Sequence, residues 1–98
     1  MELNLKHKTA IVAGASKGIG ASTAIEFAKE GCNIVLVARN KEKLQQLEEK
    51  ISSQYQVKTL SIATDIKDFK NCELINKMSI ASFSKVDILV NSAGASQG

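Results

Sequence analysis

Short apolar runs alternate along this chain with segments in which apolar residues recur every three or four positions. The apolar runs occupy residues 9–13, 33–38, 57–63 and 86–90. Runs of this length and composition predict strands buried on both faces, as in a parallel sheet. The periodic segments, which predict amphipathic helices, occupy residues 18–30, 41–54 and 67–83. The order β-α-β-α-β-α-β predicts an α/β layer fold with right-handed crossovers.

The second and third predicted helices each have a defined apolar face. In the second, Leu44, Leu47 and Ile51 lie on one side, and Asn40 is placed to cap the first turn. The third is expected to bury a comparable row of side chains, namely Phe69, Cys72, Ile75 and Met78.

A glycine-rich segment joins the first predicted strand to the first helix, with the spacing Gly14-x-x-x-Gly18-x-Gly20. The first N–H groups of a helix lack backbone partners, and the helix dipole adds positive potential there, so a strand, a glycine turn and a helix start together favour phosphate binding. The alternative is a turn without a ligand. The segment is not a Walker-type loop, because Lys17 precedes a glycine and no Gly-Lys-Ser/Thr follows. The candidate cofactor-binding residues here are Gly14, Ser16, Lys17, Gly18, Ile19 and Gly20.

Three short motifs, each directly after a predicted strand, resemble those of the short-chain dehydrogenase/reductase family. Residues 13–20 resemble its T-G-x-x-x-G-x-G cofactor motif, with Ala13 in place of the threonine. Asp65 and Ile66 resemble its adenine-contacting Asp-Val/Ile pair. Residues 91–94 resemble its N-N-A-G motif, with Ser92 in place of the second asparagine. The general pattern is that of the bacterial 3-oxoacyl-(acyl-carrier-protein) reductase-like group.

The resemblance implies a fold and further site residues. The fold is a Rossmann-type doubly wound parallel sheet, truncated after the fourth strand, with the strand order 3-2-1-4. The added cofactor-binding residues are Asp65, Ile66, Asn91, Ala93 and Gly94. Two of them have local alternatives: Asp65 as a capping residue for the next helix, and Asn91 as a turn residue that bonds nearby backbone.

The end of the second predicted strand bears on the choice of nicotinamide cofactor. NAD-selective sites place a carboxylate there to bond the ribose 2′-hydroxyl, whereas this chain has Ala38 followed by Arg39. Arginine offers a planar fork to phosphate oxygens, and Lys17 adds a second positive charge. The family pattern implied by these two cations is NADP(H) rather than NAD(H); the alternative is that both are ordinary surface cations.

The catalytic residues that the family implies, a serine, a Tyr-x-x-x-Lys pair and an asparagine, are expected beyond Gly98. Tyr55 is the single tyrosine, and Thr59 rather than a lysine stands four positions later. Residues 1–98 are therefore expected to be the nucleotide-binding part of a larger single-domain, homo-oligomeric enzyme that interconverts a carbonyl and an alcohol, without activity alone. The alternatives are a non-catalytic nucleotide-binding module and an inactive fragment.

Composition narrows the remaining classes. The chain is 44% hydrophobic and 23% charged, without proline, and carries a formal charge of +3. Its lysines alternate with glutamates, which indicates solvated helix faces rather than a nucleic-acid-binding stripe. No signal peptide or membrane span is predicted, so a cytoplasmic location is expected. Cys32 and Cys72 lack metal-ligand spacing and are expected to be small buried hydrophobic residues, and no role is assigned to His7.

Overall fold

A parallel four-stranded sheet with helices on both faces is the centre of the fold. The structure is a computed structural model that describes residues 5–92. Its elements are β1 (Thr9–Ala13), α1 (Gly18–Lys29), β2 (Asn33–Ala38), α2 (Lys41–Gln54), β3 (Thr59–Ala63), α3 (Phe69–Phe83) and β4 (Ile88–Asn91). The strand order is β3-β2-β1-β4, and every pairing is parallel. The predicted α/β fold and strand order are confirmed.

Alternate residues of the two central strands pack against different helices. On one face, Val12, Ile34 and Leu36 join a cluster with the buried side chains of α1 and α2. On the other, Ile11 and Val35 join the cluster that includes α3. Both faces of β1 and β2 are therefore covered, which accounts for their nearly continuous apolar sequence.

The outer strands are shorter and more exposed than the apolar runs predict. The third strand begins at Thr59 rather than at residue 57, and the fourth at Ile88 rather than at residue 86. Leu89 of β4 is 69% exposed. The prediction of burial on both faces is wrong for these strands, because α3 is the sole described helix on its face of the sheet and does not cover all four strands.

The first turn of α3 also departs from its prediction. Ile75 is buried and Met78 half-buried, as the periodicity indicates, but Phe69 is 75% exposed and Cys72 is exposed. The residues of α3 that pack in the core cluster are Ile75, Met78 and Phe83, so the covered part of this helix face begins only at Ile75. The helix itself begins at Phe69 with Asp68 as its N-cap, two residues later than predicted.

The two cysteines differ in their surroundings. Cys32 is buried, its thiol donates to the Leu5 carbonyl oxygen at 3.4 Å, and burial raises the pKa of this thiol, with smaller contributions from the carboxylates of Glu30 and Asp87. It packs as a small apolar residue, as predicted. Both cysteines are free, and Cys72 is exposed rather than buried. Within residues 5–92, no helix is long and apolar enough to span a bilayer.

A carboxylate joins β4 to the start of β1. The Thr9 amide N–H donates to Asp87 Oδ2 at 2.9 Å, and the Asp87 amide N–H donates to the Thr9 carbonyl oxygen at 2.9 Å. The Lys85 ammonium lies 3.6 Å from the same carboxylate oxygen. The backbone hydrogen bond from Thr9 lowers the pKa of Asp87, and the nearby charges of Lys85 and Lys8 add to the effect.

The Asp87 link predicts a pH-dependent stability. Because the pKa of Asp87 is lowered in the fold, its contribution is present above the ordinary aspartate pKa and is lost as pH falls through the folded-state value. Asp87→Asn keeps a side-chain acceptor and removes the charge, so it should lower the melting temperature at neutral pH. The difference should shrink in melts recorded at decreasing pH. A gap between wild type and variant that stays constant down to about pH 2 would contradict this assignment.

Candidate nucleotide-binding site

Backbone hydrogen bonds join the carboxyl ends of all four strands. The amide N–H groups of Gly14 and Ala15, after β1, donate to the Val37 carbonyl oxygen of β2 at 2.8 and 3.1 Å. Thr64 N, after β3, donates to the Ala38 carbonyl oxygen of β2 at 2.9 Å. Ser92 N, after β4, donates to the Ala13 carbonyl oxygen of β1 at 3.0 Å. The segments after β1, β2, β3 and β4 thus form one continuous edge. In open α/β sheets, ligands bind at this edge, where the strand order reverses. Here the reversal lies between β1 and β4, beside the glycine loop, residues 14–20.

The glycine loop has the backbone that its spacing predicts. Gly14 and Gly18 have φ values of +79° and +58°, a region that other residues rarely adopt. Gly20 has an ordinary φ, but a Cβ there would overlap the Gly14 carbonyl oxygen and lie 2.5 Å from Ser92 Oγ. The first turn of α1 can therefore approach the end of β1 only because residue 20 has no side chain.

The start of α1 differs from the starts of the other two helices. Asn40 Oδ1 accepts from Lys43 N at 3.0 Å and caps α2, as predicted, and Asp68 Oδ1 accepts from Lys70 N at 2.9 Å at α3. The N-cap of α1 is Lys17, whose side chain makes no capping hydrogen bond, and no acidic residue lies in the first turn. The helix that follows the glycine loop thus presents N–H groups and positive potential without a capping side chain, an arrangement that favours anion binding.

The side chains around the start of α1 leave its surface accessible. Lys17 is exposed and Ser16 is half-buried. Within residues 5–92, apart from the adjoining residues and the backbone of α1 itself, no atom lies within 4 Å of the place where a Gly18 Cβ would be. Ile19 is 74% exposed, which puts an apolar side chain next to the candidate phosphate position. An open groove continues from Gly18 and Ile19 along α1, away from the strand ends.

The end of β2 places a cation next to the glycine loop. Ala38 is 8% exposed, and its carbonyl oxygen is held by Thr64. Arg39 follows directly and is exposed. The carbonyl oxygen of Val37, one residue before Ala38, accepts the two hydrogen bonds from the glycine loop. Arg39 therefore lies on the same edge as the start of α1, with no carboxylate at the strand end.

The residues after β3 are held by α3. Asn71 Nδ2 donates to the Asp65 carbonyl oxygen at 2.9 Å, and Cys72 Sγ donates to that of Ile66 at 3.3 Å. The Asp65 side chain accepts from Lys67 N at 2.9 Å, so it has the local hydrogen bond of the capping alternative, although the N-cap itself is Asp68. Ile66 is half-buried against the cluster on the α3 face. The adenine role of Asp65 and Ile66 stays a prediction.

The fourth segment of the site follows β4. Asn91 is the last residue of β4 and pairs with Ala13. Ser92 is absent from the residues predicted to bind cofactor, yet its hydroxyl donates to the Ala13 carbonyl oxygen at 2.9 Å. The sequence feature that could have drawn attention to Ser92 is its position in the N-N-A-G motif, where it replaces the second asparagine. Ala93 and Gly94 lie outside the described residues.

Tyr55 is placed away from this edge. It is the C-cap of α2 and precedes β3, so it lies toward the amino ends of the strands, where its half-buried ring packs against the cluster of the α1 and α2 face. That Tyr55 is not the proton donor of the family stays a prediction. Within residues 5–92, no group of three or more histidine, cysteine or carboxylate side chains could hold a metal ion.

Comparison with known proteins identifies the family. A family model described as short chain dehydrogenase matches residues 8–98, nearly the whole chain. The chain belongs to the short-chain dehydrogenase family. The assignment agrees with the positions of the three motifs at the carboxyl edge of the sheet. The finer 3-oxoacyl-(acyl-carrier-protein) reductase-like grouping stays a prediction.

The chain spans little more than a third of the length of each of three similar proteins. A 12alpha-hydroxysteroid dehydrogenase from a Clostridium species is 38% identical over 96 residues, which cover 91% of this chain and 37% of the relative. The NADP-dependent 3-hydroxy acid dehydrogenase of Schizosaccharomyces pombe is 34% identical over 95 residues, covering 96% and 37%. The crystal structure of L-sorbose reductase from Gluconobacter frateurii, complexed with NADPH and L-sorbose, superposes with a TM-score of 0.87 at 34% identity, covering 91% of this chain and 34% of that one.

Proposed function

We propose that this short-chain dehydrogenase chain binds NADP(H) and forms the part of an oxidoreductase that holds the adenine, ribose and diphosphate of the cofactor. The observation that carries the proposal is the start of α1, which lacks a capping side chain and follows a glycine loop at the carboxyl edge of the sheet. A diphosphate placed there would accept hydrogen bonds from the first N–H groups of the helix. The bound cofactor supplies the hydride chemistry, while these residues bind and orient it.

Three residues and the names of two related proteins support NADP(H) rather than NAD(H). Ala38 offers no carboxylate to a ribose 2′-hydroxyl, and the exposed Arg39 offers a guanidinium to a 2′-phosphate. Lys17 is exposed at the start of α1 and adds a second positive charge to the same edge. The names of two related proteins point the same way, since one is NADP-dependent and the other was crystallised with NADPH.

The proposed contacts follow the segments of the edge. The diphosphate and its adjoining ribose groups are assigned to the glycine loop, the 2′-phosphate to Arg39 and Lys17, and the adenine to Asp65 and Ile66. Asn91, Ala93 and Gly94 complete the proposed site. The local hydrogen bond of Asp65 is compatible with this assignment, because it fixes the segment beside which the adenine would lie.

The proposal for the whole protein is broader. We assign residues 1–98 to a single Rossmann domain of a cytoplasmic homo-oligomer whose substrate is a small-molecule carbonyl or alcohol. The names of the relatives, a hydroxysteroid dehydrogenase, a 3-hydroxy acid dehydrogenase and a sorbose reductase, share that chemistry. A Tyr-x-x-x-Lys pair in the full-length gene product would support an enzyme, and its absence would favour a non-catalytic nucleotide-binding module.

An equilibrium titration of the full-length gene product tests the cofactor assignment. NADPH and NADH are added separately, and binding is followed by the fluorescence of the reduced nicotinamide. NADPH should bind at least about tenfold more tightly, because only its 2′-phosphate meets the two cations. Equal dissociation constants for the two cofactors would overturn the preference, and no binding of either would overturn the proposed function.

A further inference from the structure

The two residues at which the first and last motifs depart from the family pattern are neighbours in the fold. Ala13 is the last residue of β1, and Ser92 directly follows β4. The Ser92 amide N–H and hydroxyl both donate to the Ala13 carbonyl oxygen, at 3.0 and 2.9 Å. Because Ala13 has no polar side chain, Ser92 supplies a side-chain hydrogen bond between these two strand ends.

The Ser92 hydroxyl also contacts the glycine loop. Its oxygen lies 3.3 Å from the Gly14 carbonyl oxygen, within hydrogen-bond distance. It lies 2.5 Å from the place where a Gly20 Cβ would be. The end of β4, the first residue of the loop and the first turn of α1 therefore meet at one half-buried side chain.

We propose that Ser92 is a positioning residue for the diphosphate, a role that rests on the proposed NADP(H) function. Its single hydroxyl proton is donated to the Ala13 carbonyl oxygen at 2.9 Å and lies within reach of the Gly14 carbonyl oxygen at 3.3 Å, so it fixes the point where the chain leaves β1 for the loop. Without that donor, the hydrogen bond between the end of β4 and the end of β1 is lost directly beside Gly14. The loop can then shift from the geometry that directs the N–H groups of α1 toward a diphosphate. Ser92 acts through the loop and needs no contact with the cofactor.

The test compares two ligands in the full-length gene product carrying Ser92→Ala. NADPH contains the diphosphate, whereas 2′-AMP contains the adenine and the 2′-phosphate without it. Loss of one positioning hydrogen bond should weaken NADPH binding by about tenfold. The affinity for 2′-AMP, measured by competition, should be unchanged, because Arg39 and the segment after β3 are untouched.

Two variants serve as controls. Ser92→Thr keeps the hydroxyl and should restore most of the NADPH affinity, while Ser82→Ala removes an exposed serine of α3 and should change neither affinity. Unaltered NADPH binding in Ser92→Ala would overturn the role. An equal loss for both ligands, accompanied by a lower melting temperature, would overturn it in favour of a purely structural one. If the wild-type protein fails to bind NADPH at all, the proposed function itself is contradicted.

Discussion

Replacing Gly20 with alanine should nearly abolish binding of NADPH to the full-length gene product. The added methyl group would overlap the Gly14 carbonyl oxygen, which is backbone and cannot move aside as a side chain can. The start of α1 must then shift away from the end of β1. We expect the dissociation constant to rise roughly a hundredfold, as for groups misplaced by about an ångström, and the free energy of unfolding to fall by about 1–3 kcal/mol.

A second glycine separates the binding effect from the stability effect. Gly31 has a φ of +88°, and a Cβ there would lie 3.2 Å from Lys6, beside the start of β2 and away from the carboxyl edge. Gly31→Ala should therefore cost about 1–2 kcal/mol of stability through backbone strain and leave the dissociation constant unchanged. If both variants lose stability alike and neither loses affinity, the glycine loop is not the diphosphate site.

Exchanging the residues at the end of β2 should reverse the cofactor preference. The double variant Ala38→Asp, Arg39→Ser introduces a carboxylate that repels a 2′-phosphate and can bond a ribose 2′-hydroxyl, and it removes the guanidinium. Loss of charge-assisted hydrogen bonds worth about 1.5–3 kcal/mol predicts NADPH binding weaker by one to two orders of magnitude. NADH binding should become the tighter of the two in the same fluorescence titration.

Two single variants serve as controls for the double variant. Lys50→Ser removes an exposed cation from the later part of α2 and should leave the preference for NADPH intact. Arg39→Lys keeps the charge but not the planar fork, so it should weaken NADPH binding without reversing the order. An NADPH preference that survives the double variant would show that the end of β2 does not determine cofactor choice.

The sequence predicts most accurately the elements in which every apolar face is covered. β1, β2 and α2 match their predicted bounds, because both faces of the two strands are apolar and because Leu44, Leu47 and Ile51 bury a single helix face capped by Asn40. Periodicity identifies residues that share a face, but it does not reveal whether another element covers that face. Phe69 and Cys72 share a face with Ile75 and are nevertheless exposed in the described part of the chain.

In the candidate site, too, the sequence predicts the local features but not the long-range contacts. Glycine spacing predicts the turn and the free helix start, since these follow from local backbone geometry. The contacts that hold the site together, from Gly14 to Val37 and from Ser92 to Ala13, join residues far apart in the chain. The sequence does not encode such pairings in any local pattern. The sequence leaves two alternatives for Asp65, contact with adenine or a local capping hydrogen bond. The bond from Lys67 N to the Asp65 side chain becomes evident only from the three-dimensional structure.

The most direct test of the central claim is the response of the glycine-loop amides to cofactor. The full-length gene product, labelled with ¹⁵N-glycine, is titrated with NADP⁺ while its amide resonances are followed by NMR. The account predicts that the resonances of Gly18 and Gly20 shift most among the glycines of residues 5–92, that Gly31 is unaffected, and that adenosine, which lacks phosphate, leaves the loop glycines in place. Saturable binding of NADP⁺ that moves Gly31 and leaves Gly18 and Gly20 unchanged would contradict a diphosphate site at the start of α1.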